Sequence, residues 1–383
     1  MKIVDRYIFR KFFLIFFLAC VALIGLYVVF DVFTKFDEFW RADASLFRLI
    51  TATAEYYFIN SFVFVDMIFP FLALLAALAA LTMMARQNEI IALLATGVSP
   101  GRIVLPILIG AFVVSSAFTA IREGFLPRRL AELNLAPTEF VERSDSIEVV
   151  SAFDGWSGVT IDGESLARSE RTIREPRILL GRNLNRYGNR LVAKSAVYID
   201  AEGERPAGWL LSGAELSDEA SAGPSWVEET TGRTVVYTPG GADWLKPGEA
   251  FVATSIDARR LAAGDRWRLY DSTAALTAAA NDPTFAREAI ELTIRAHSRF
   301  LRPLADLLPL CLGVPFVFLR SERNVFSALG RGCGVAGAYI ASQYVAAYFG
   351  EKLGSSSFGV WAPFFVFVPL AACMMGELTK KEV

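Results

Sequence analysis

The sequence predicts a polytopic α-helical membrane protein with six transmembrane helices, arranged three plus three, and an all-β domain inserted between the halves on the extracytoplasmic side. Three observations predict it: six apolar stretches of bilayer length, a polar block of roughly 180 residues between the third and the fourth, and the loss of helical periodicity inside that block.

Five of the stretches carry no charge: Phe12 to Phe30, Met67 to Ala85, Ile103 to Ile121, Gly332 to Gly350 and Leu353 to Gly376. Each offers about 19 or more residues, and roughly 20 helical residues span a hydrocarbon core at about 1.5 Å of rise apiece. The remaining stretch, fourth in chain order, runs from about 303 to 319 and is interrupted only by Asp306. Lipid offers no water to unpaired backbone groups, so runs of this length are helices.

Composition agrees. Hydrophobic residues make up 54% of the chain and phenylalanine alone occurs 31 times, a load that suits lipid-facing surface. The 38 basic and 40 acidic residues leave a formal charge of -2, so no nucleic-acid partner is suggested. Cys20, Cys311, Cys333 and Cys373 all fall inside the apolar stretches, without metal-ligand or Cys-x-x-Cys spacing. Each reads as a small buried apolar residue, so no metal site and no bound cofactor is expected.

Lys2, Arg6, Arg10 and Lys11 precede the first apolar run, as in an export signal. The run exceeds the roughly 7 to 15 residues of a signal core, and Asp31-Val32-Phe33-Thr34-Lys35 after it lacks a small-residue cleavage pattern, so a retained first helix is expected. Basic residues near the span ends set orientation. Lys2, Arg6, Arg10, Lys11, Arg86, Arg102, Arg320, Arg323, Arg331, Lys380 and Lys381 lie on one side, against Lys35, Arg41, Arg48 and Lys352 in the short opposite loops. Both termini are therefore expected in the cytoplasm and the polar block in the periplasm or its equivalent.

Between about 145 and 265, short β-branched or aromatic runs alternate with turn residues. Strands are expected at Gly158 to Ile161, Arg177 to Leu180, Leu191 to Ile199, Trp209 to Leu211, Thr234 to Tyr237 and Ala250 to Ile256. Turns at Asp162-Gly163 and Pro239-Gly240-Gly241 complete the pattern of an antiparallel sandwich or open barrel. Beyond it, Asp282-Pro283 reads as an N-cap with proline at the first helical position. Arg287, Glu291 and Arg295 continue at i, i+4 spacing, and this charged helix is expected to run through Arg299, Arg302 and Asp306 into the fourth span. His297, the only histidine, lies on it with no second ligand or nucleophile near in sequence, which favours a packing or interfacial role. The division is 1–121 for spans one to three, 122–282 for the β domain with its connectors, and 283–383 for the juxtamembrane helix and spans four to six.

In the fifth span Gly330, Gly334, Ala338 and Ser342 recur every four residues with Gly337 beside them, spacing that lets another helix approach closely, from within the chain or from a second subunit. Between spans two and three, Glu89 to Ala95 reads as a short helix with Gly97 suited to its C-terminal cap and Ser99-Pro100 opening the next. Ile90, Leu93 and Leu94, at i, i+3, i+4, give it one greasy face, fit for lipid headgroups or for a cytoplasmic protein.

Here the chain resembles a family. Phe69-Pro70-Phe71-Leu72-Ala73-Leu74-Leu75-Ala76-Ala77-Leu78, then Arg86-Gln87-Asn88-Glu89 and Ala95-Thr96-Gly97-Val98-Ser99, look like the second helix and coupling helix of the LptF/LptG lipopolysaccharide-export permeases. Asp5-Arg6-Tyr7-Ile8 is similar to the start of those proteins, and Arg299 to Leu304 to the beginning of their fourth span. Leu191 to Ile199 with Gly208 to Leu211 resembles their β-jellyroll. The likeness covers the whole chain in order and length.

The resemblance implies the permease half of an ABC exporter of the inner membrane. Two related permeases, identical or not, pair around a lipid-holding cavity, and a cytoplasmic ATPase dimer grips the segment Arg86 to Ser99. Glu89 occupies the position of the coupling-helix glutamate that contacts the ATPase; Arg86, Ile90, Leu93, Leu94 and Gly97 complete that candidate surface. ATP and Mg are then used by the partner, because this chain has no Gly-x-x-x-x-Gly-Lys-Ser/Thr run. The cargo, lipopolysaccharide or a similar amphipathic lipid, passes to a periplasmic jellyroll bridge protein. Phe30, Phe33, Lys35 and Phe36 at the outer end of span one are the candidates for lining its path, and Gly330, Gly334, Gly337 and Ala338 for helix packing or the gate between spans one and five. One departure stands out: LptG-like relatives carry several lysines where Asp31 to Glu38 has one lysine among three acids, and carboxylates repel phosphate. The partner permease, Arg41 and Arg48, or a less anionic cargo would resolve it. An alternative is a membrane-anchored extracytoplasmic ligand-binding or signalling protein. An enzyme is disfavoured, since the spans show no Ser/His/Asp set, metal cluster or close carboxylate pair.

Overall fold

The structure, a computed structural model, describes residues 3–380 apart from 42–44, 131, 143–144, 182–183, 185–188, 204, 217–220, 229–231, 265, 287 and 319–324. Lys2, Arg320, Arg323 and Lys381 of the charge tally, and Arg287 of the charged helix, lie outside the described residues. The chain divides into two compact units: Met1–Phe36, Tyr57–Gly124 and Thr293–Val383 form the first, Asp37–Tyr56 and Phe125–Leu292 the second.

Long apolar helices build the first unit: α1 (Ile3–Arg41), α2 (Leu46–Arg86), the short α3 (Glu89–Ala95), α4 (Pro100–Phe125), α5 (Ala289–Ala305), α6 (Leu308–Gly313), α7 (Pro315–Phe318), α8 (Val325–Lys352) and α9 (Ser356–Lys380). Their core joins Phe12 and Phe16 of α1 to Phe69, Leu74 and Leu78 of α2, Ile103 and Ile107 of α4, and Leu310 of α6. Half of the apolar window of α2 is buried, against 11% of that of α1. The central post is therefore α2, while α1 leaves most of its apolar surface to lipid or to another chain. Glycines allow close helix contacts. A Cβ on Gly313 would meet Leu74 Cδ1 at 2.6 Å, and one on Gly332 of α8 would lie 3.3 Å from Gly313 Cα.

Among the described residues four helices are long and apolar enough to cross a membrane, α1, α2, α4 (extended to Arg129) and α9. The pair formed by α5 and the segment Leu308–Phe318, bent by 42°, makes a fifth if counted as one broken span. The expected stretch 332–350 is helical within the 28 residues of α8, yet its glycines, alanines, serine, glutamine and tyrosines leave it less apolar than the others.

Antiparallel sheet dominates the second unit. Its strands are β1 (Ser146–Glu148), β2 (Ala152–Phe153), β3 (Thr160–Asp162), β4 (Ser165–Ala167), β5 (Thr172–Arg174), β6 (Arg177–Leu179), β7 (Arg190–Val192), β8 (Ser195–Ile199), β9 (Gly208–Ser212), β10 (Trp226–Val227), β11 (Thr234–Tyr237) and β12 (Glu249–Ala253). They form an eight-stranded sheet, β1-β4-β5-β8-β9-β12-β11-β10, and a four-stranded one, β2-β3-β6-β7. Alternate residues Ile161, Ile178 and Leu191 of the smaller sheet and Leu166, Ile173, Ala196, Leu211 and Ala250 of the larger are buried, as the two-residue period of a half-covered sheet requires. The expected single strand Leu191 to Ile199 is two strands in different sheets. At Ala193–Lys194 the chain leaves the ladder, the Ala193 amide donating to Pro176 O and that of Lys194 to Ser212 O.

The expected helix start at Asp282-Pro283 is also corrected. The Pro283 ring disfavours helical geometry at Asp282, whose φ of -81° and ψ of 125° end the preceding helix Thr273–Asn281. Pro283–Phe285 is a short 3-10 turn, and α5 begins only at Ala289.

Candidate functional site

The segment between α2 and α4 folds as a separate short helix because Asn88, at φ 56°, and Gly97, at φ 78°, turn the backbone left-handed at its two ends. It is fastened to the rest of the first unit by its first residue. Glu89 accepts from Tyr7 Oη at 2.8 Å and from Lys11 Nζ at 3.0 and 3.1 Å, while Lys11 also donates to Gln87 Oε1 at 2.7 Å. Ile90 is buried and Leu93 packs on the same core. The apolar residues left outside are Ile91, 63% exposed, and Leu94, with Arg86 and Gly97 exposed at the two ends. The expected greasy face of Ile90, Leu93 and Leu94 is thus split. Its first two members anchor the helix, and Leu94 shares the open side with Ile91, which sequence reasoning passed over because the i, i+3, i+4 pattern does not say which stripe faces inward.

At the other end of α1, Phe30, Phe33 and Phe36 are all exposed, Phe33 at 81%. Lys35 is ion-paired to Asp31, one turn back, at 3.1 Å, and Asp31 also accepts from Tyr57 Oη at 3.0 Å. Lys35 therefore presents a locally neutralised pair. Of the other cations considered, Arg48 donates from Nε to Val141 O at 3.0 Å, and the side chain of Arg41 lies outside the described residues.

The stripe on α8 separates into two faces. Gly332, Ala336 and Tyr339 are buried against the chain's own helices. Gly330, Gly334 and Ala338 are exposed, Gly337 is half-buried, and a Cβ built on any of the three glycines meets nothing within 4 Å. These four residues do not make the internal contact; Gly332, two residues out of step with the repeat, makes it. His297 is exposed on α5.

The structure also assembles a cluster that sequence reasoning missed. Asp66 of α2 is buried and receives two arginines, Arg122 of α4 at 3.3 Å and Arg302 of α5, whose Nη1 sits 2.9 and 3.0 Å from the two carboxylate oxygens. Arg302 Nη2 donates to the Asp66 backbone carbonyl and Nε lies 3.7 Å from Asp306, itself buried and bonded by Ser115 Oγ at 2.5 Å. Asp66 and Asp306 thus form the carboxylate pair that was not expected in the spans, with Arg302 between them. Their signal was faint, because Asp66 and Arg122 each border a charge-free run and pass for flanking residues. Two anions and two cations balance, which is how ionised groups persist in an apolar bundle.

Long apolar helices around a buried ion cluster, with an antiparallel β domain inserted in the chain, define a multi-pass membrane protein with an inserted β domain. A search of the curated proteins finds no match. The family profile described as lipopolysaccharide export system permease LptF/LptG matches residues 6–376, nearly the whole chain, and the chain belongs to that family.

Proposed function

We propose that this chain is one permease half of an ABC-type exporter that lifts lipopolysaccharide, or a lipid of similar amphipathic build, out of the inner membrane. In this reading six spans cross the bilayer, α8 among them, with both termini cytoplasmic and the β domain a periplasmic jellyroll. A cytoplasmic ATPase dimer seats on the segment 86–99, a second LptF/LptG-type permease closes the cavity, and a jellyroll bridge protein takes the lipid onward. ATP and Mg act in the ATPase.

The observation that carries the reading is the segment 86–99 itself. A seven-residue helix clamped through Glu89 to α1, with Ile91 and Leu94 turned outward, is a lever whose free face fits a protein groove. Pushing it moves α2 and α1, and α1 carries the candidate path residues Phe30, Phe33 and Phe36. Acyl chains must stay out of water throughout, at about 0.8 kcal/mol for each exposed CH₂, so an apolar lining is the physical requirement. Exposed Gly330, Gly334, Gly337 and Ala338 suit close contact with the partner permease or the moving gate.

The test is gentle extraction of the tagged full-length chain, followed by mass spectrometry of its protein and lipid companions. An ABC ATPase, a second permease and a phosphorylated glycolipid are expected. Isolation with none of them, or nucleotide hydrolysis by the chain alone, overturns the proposal.

A further inference from the structure

Pro70 lies inside α2 and has no amide hydrogen, so the carbonyl of Asp66, four residues earlier, is denied its helical partner. In an apolar bundle that vacancy needs filling from outside the helix. Arg302 of α5 fills it: Nη2 donates to the Asp66 carbonyl while Nη1 grips the carboxylate of the same residue. The same guanidinium reaches Asp306, which stands at the 42° bend between α5 and the segment Leu308–Phe318. One side chain therefore touches the proline site of α2, where the helix lacks a hydrogen bond, and the bend that follows α5. Arg122 and Ser115, both on α4, add a second cation for Asp66 and a hydrogen bond to Asp306.

We infer that Arg302 is a positioning residue which fixes the course of α2 past Pro70 and couples it to the bend beyond Asp306. Its consequence for transport rests on the function proposed above. From Phe71 to Arg86 the lower arm of α2 is about 24 Å long, so a change of about 10° at the proline moves its end, and with it α3, by about 4 Å. Lysine cannot replace this arginine, because one ammonium does not present a fork that serves a carbonyl and two carboxylates together. Alanine at position 70 makes the carbonyl contact dispensable, because it returns the missing amide.

The full-length chain, with Cys20, Cys311, Cys333 and Cys373 replaced by alanine, is reconstituted in lipid nanodiscs with nitroxides at the exposed positions Phe58 and Met83. They stand about 37 Å apart along α2, on either side of Pro70. Arg302→Lys is expected to lose the single distance of the parent, and Pro70→Ala with Arg302→Lys to regain it. A single distance retained in R302K, or not regained in the double variant, overturns the inference. Should R302K alone not extract as monodisperse protein, recovery by P70A supports the inference and failure to recover refutes it. These distances need neither partner nor cargo, so they stand apart from the transport reading. In the assembled exporter the R302K chain is expected to leave ATP turnover in place and lose lipid release, and equal loss of both would reduce Arg302 to a merely structural role.

Discussion

Lys11 and Glu89, 78 residues apart, share an ion pair of 3.0 Å that fastens the short helix α3 to the N-terminal part of α1. Neither side chain is more than about a third exposed, so the pair is worth about 1 kcal/mol rather than the near-zero of a solvated one. Lys11→Met is expected to speed amide exchange across 86–99 and weaken capture of the ATPase. Arg10→Met, on the same helix turn, leaves both unchanged. Restoration by the exchanged pair Lys11→Glu with Glu89→Lys, read as exchange rates, separates the ion pair from a general effect of charge.

Asp154 staples the two sheets of the β domain. Its buried carboxylate accepts from Ser157 Oγ at 2.6 Å, Thr254 Oγ1 and Ser255 Oγ at 2.7 Å, and the Trp156 and Ser255 amides at 3.0 Å, joining the turn after β2 to the end of β12. Asp154→Asn turns one acceptor into a donor among five donors, at a cost of about 3 kcal/mol. Hydrogen exchange should rise at 152–160 and 252–256 while the long helices stay protected; unchanged protection in the β domain would show the staple to be idle.

The sequence carried the first unit through length alone: charge-free runs of bilayer length leave the backbone no choice but helix. The β domain was legible only in part. Arg177 to Leu179, Gly208 to Ser212 and Thr234 to Tyr237 stand within the β-branched and aromatic runs between turn residues, whereas β1, β2, β4, β5 and β10, of two or three residues, do not stand out as runs. Side-chain direction was the least legible. Whether Ile90 or Ile91 faces inward, and whether Gly332 or Gly334 meets a neighbour, depends on which helix lies opposite, and the ion cluster around Arg302 joins residues 236 positions apart.

Tyr198 links the stability of the β domain to alkaline pH. Burial, with the nearby carboxylates of Asp257 and Asp200, pushes its phenol up to about 12 from the ordinary 10. Below pH 10 both folded and unfolded chains keep the proton and the native state keeps its full advantage. Between about pH 10 and 12 the unfolded chain ionises first, so stability falls. Tyr198→Phe is expected to flatten the loss of β-domain signal over that window, followed by circular dichroism of the nanodisc-bound chain. An unaltered alkaline slope would exclude this residue as its source.

Phe33 offers the plainest reading of the proposed lipid path. It is 81% exposed on a helix that is itself thinly covered, so Phe33→Ala should change thermal stability by less than about 0.5 kcal/mol. A photoreactive phenylalanine at 33 is expected to capture lipid, and the yield should drop when the ATPase is supplied with ATP and the cargo moves on. Yields indifferent to nucleotide would make Phe33 an ordinary lipid-facing side chain.

Two glycines of the first unit should behave oppositely under the same change. At Gly313 a Cβ would strike Leu74 Cδ1 at 2.6 Å, and beyond it lies Gly332 of α8, whose backbone leaves nowhere to retreat. Gly313→Val therefore overpacks a crossing of α6, α2 and α8, at a cost of about 1 to 3 kcal/mol, and should lower the melting midpoint of the purified chain. At Gly334 nothing stands within 4 Å, so Gly334→Val should leave that midpoint in place or raise it slightly, since valine in a lipid-facing helix costs little. What it should lose is close approach by a helix from outside the chain, seen as a smaller share of paired permease on native gels. If G334V pairs as the parent does, the exposed stripe faces lipid only, and the proposed partner permease would have to dock elsewhere on the thinly covered surface that includes α1.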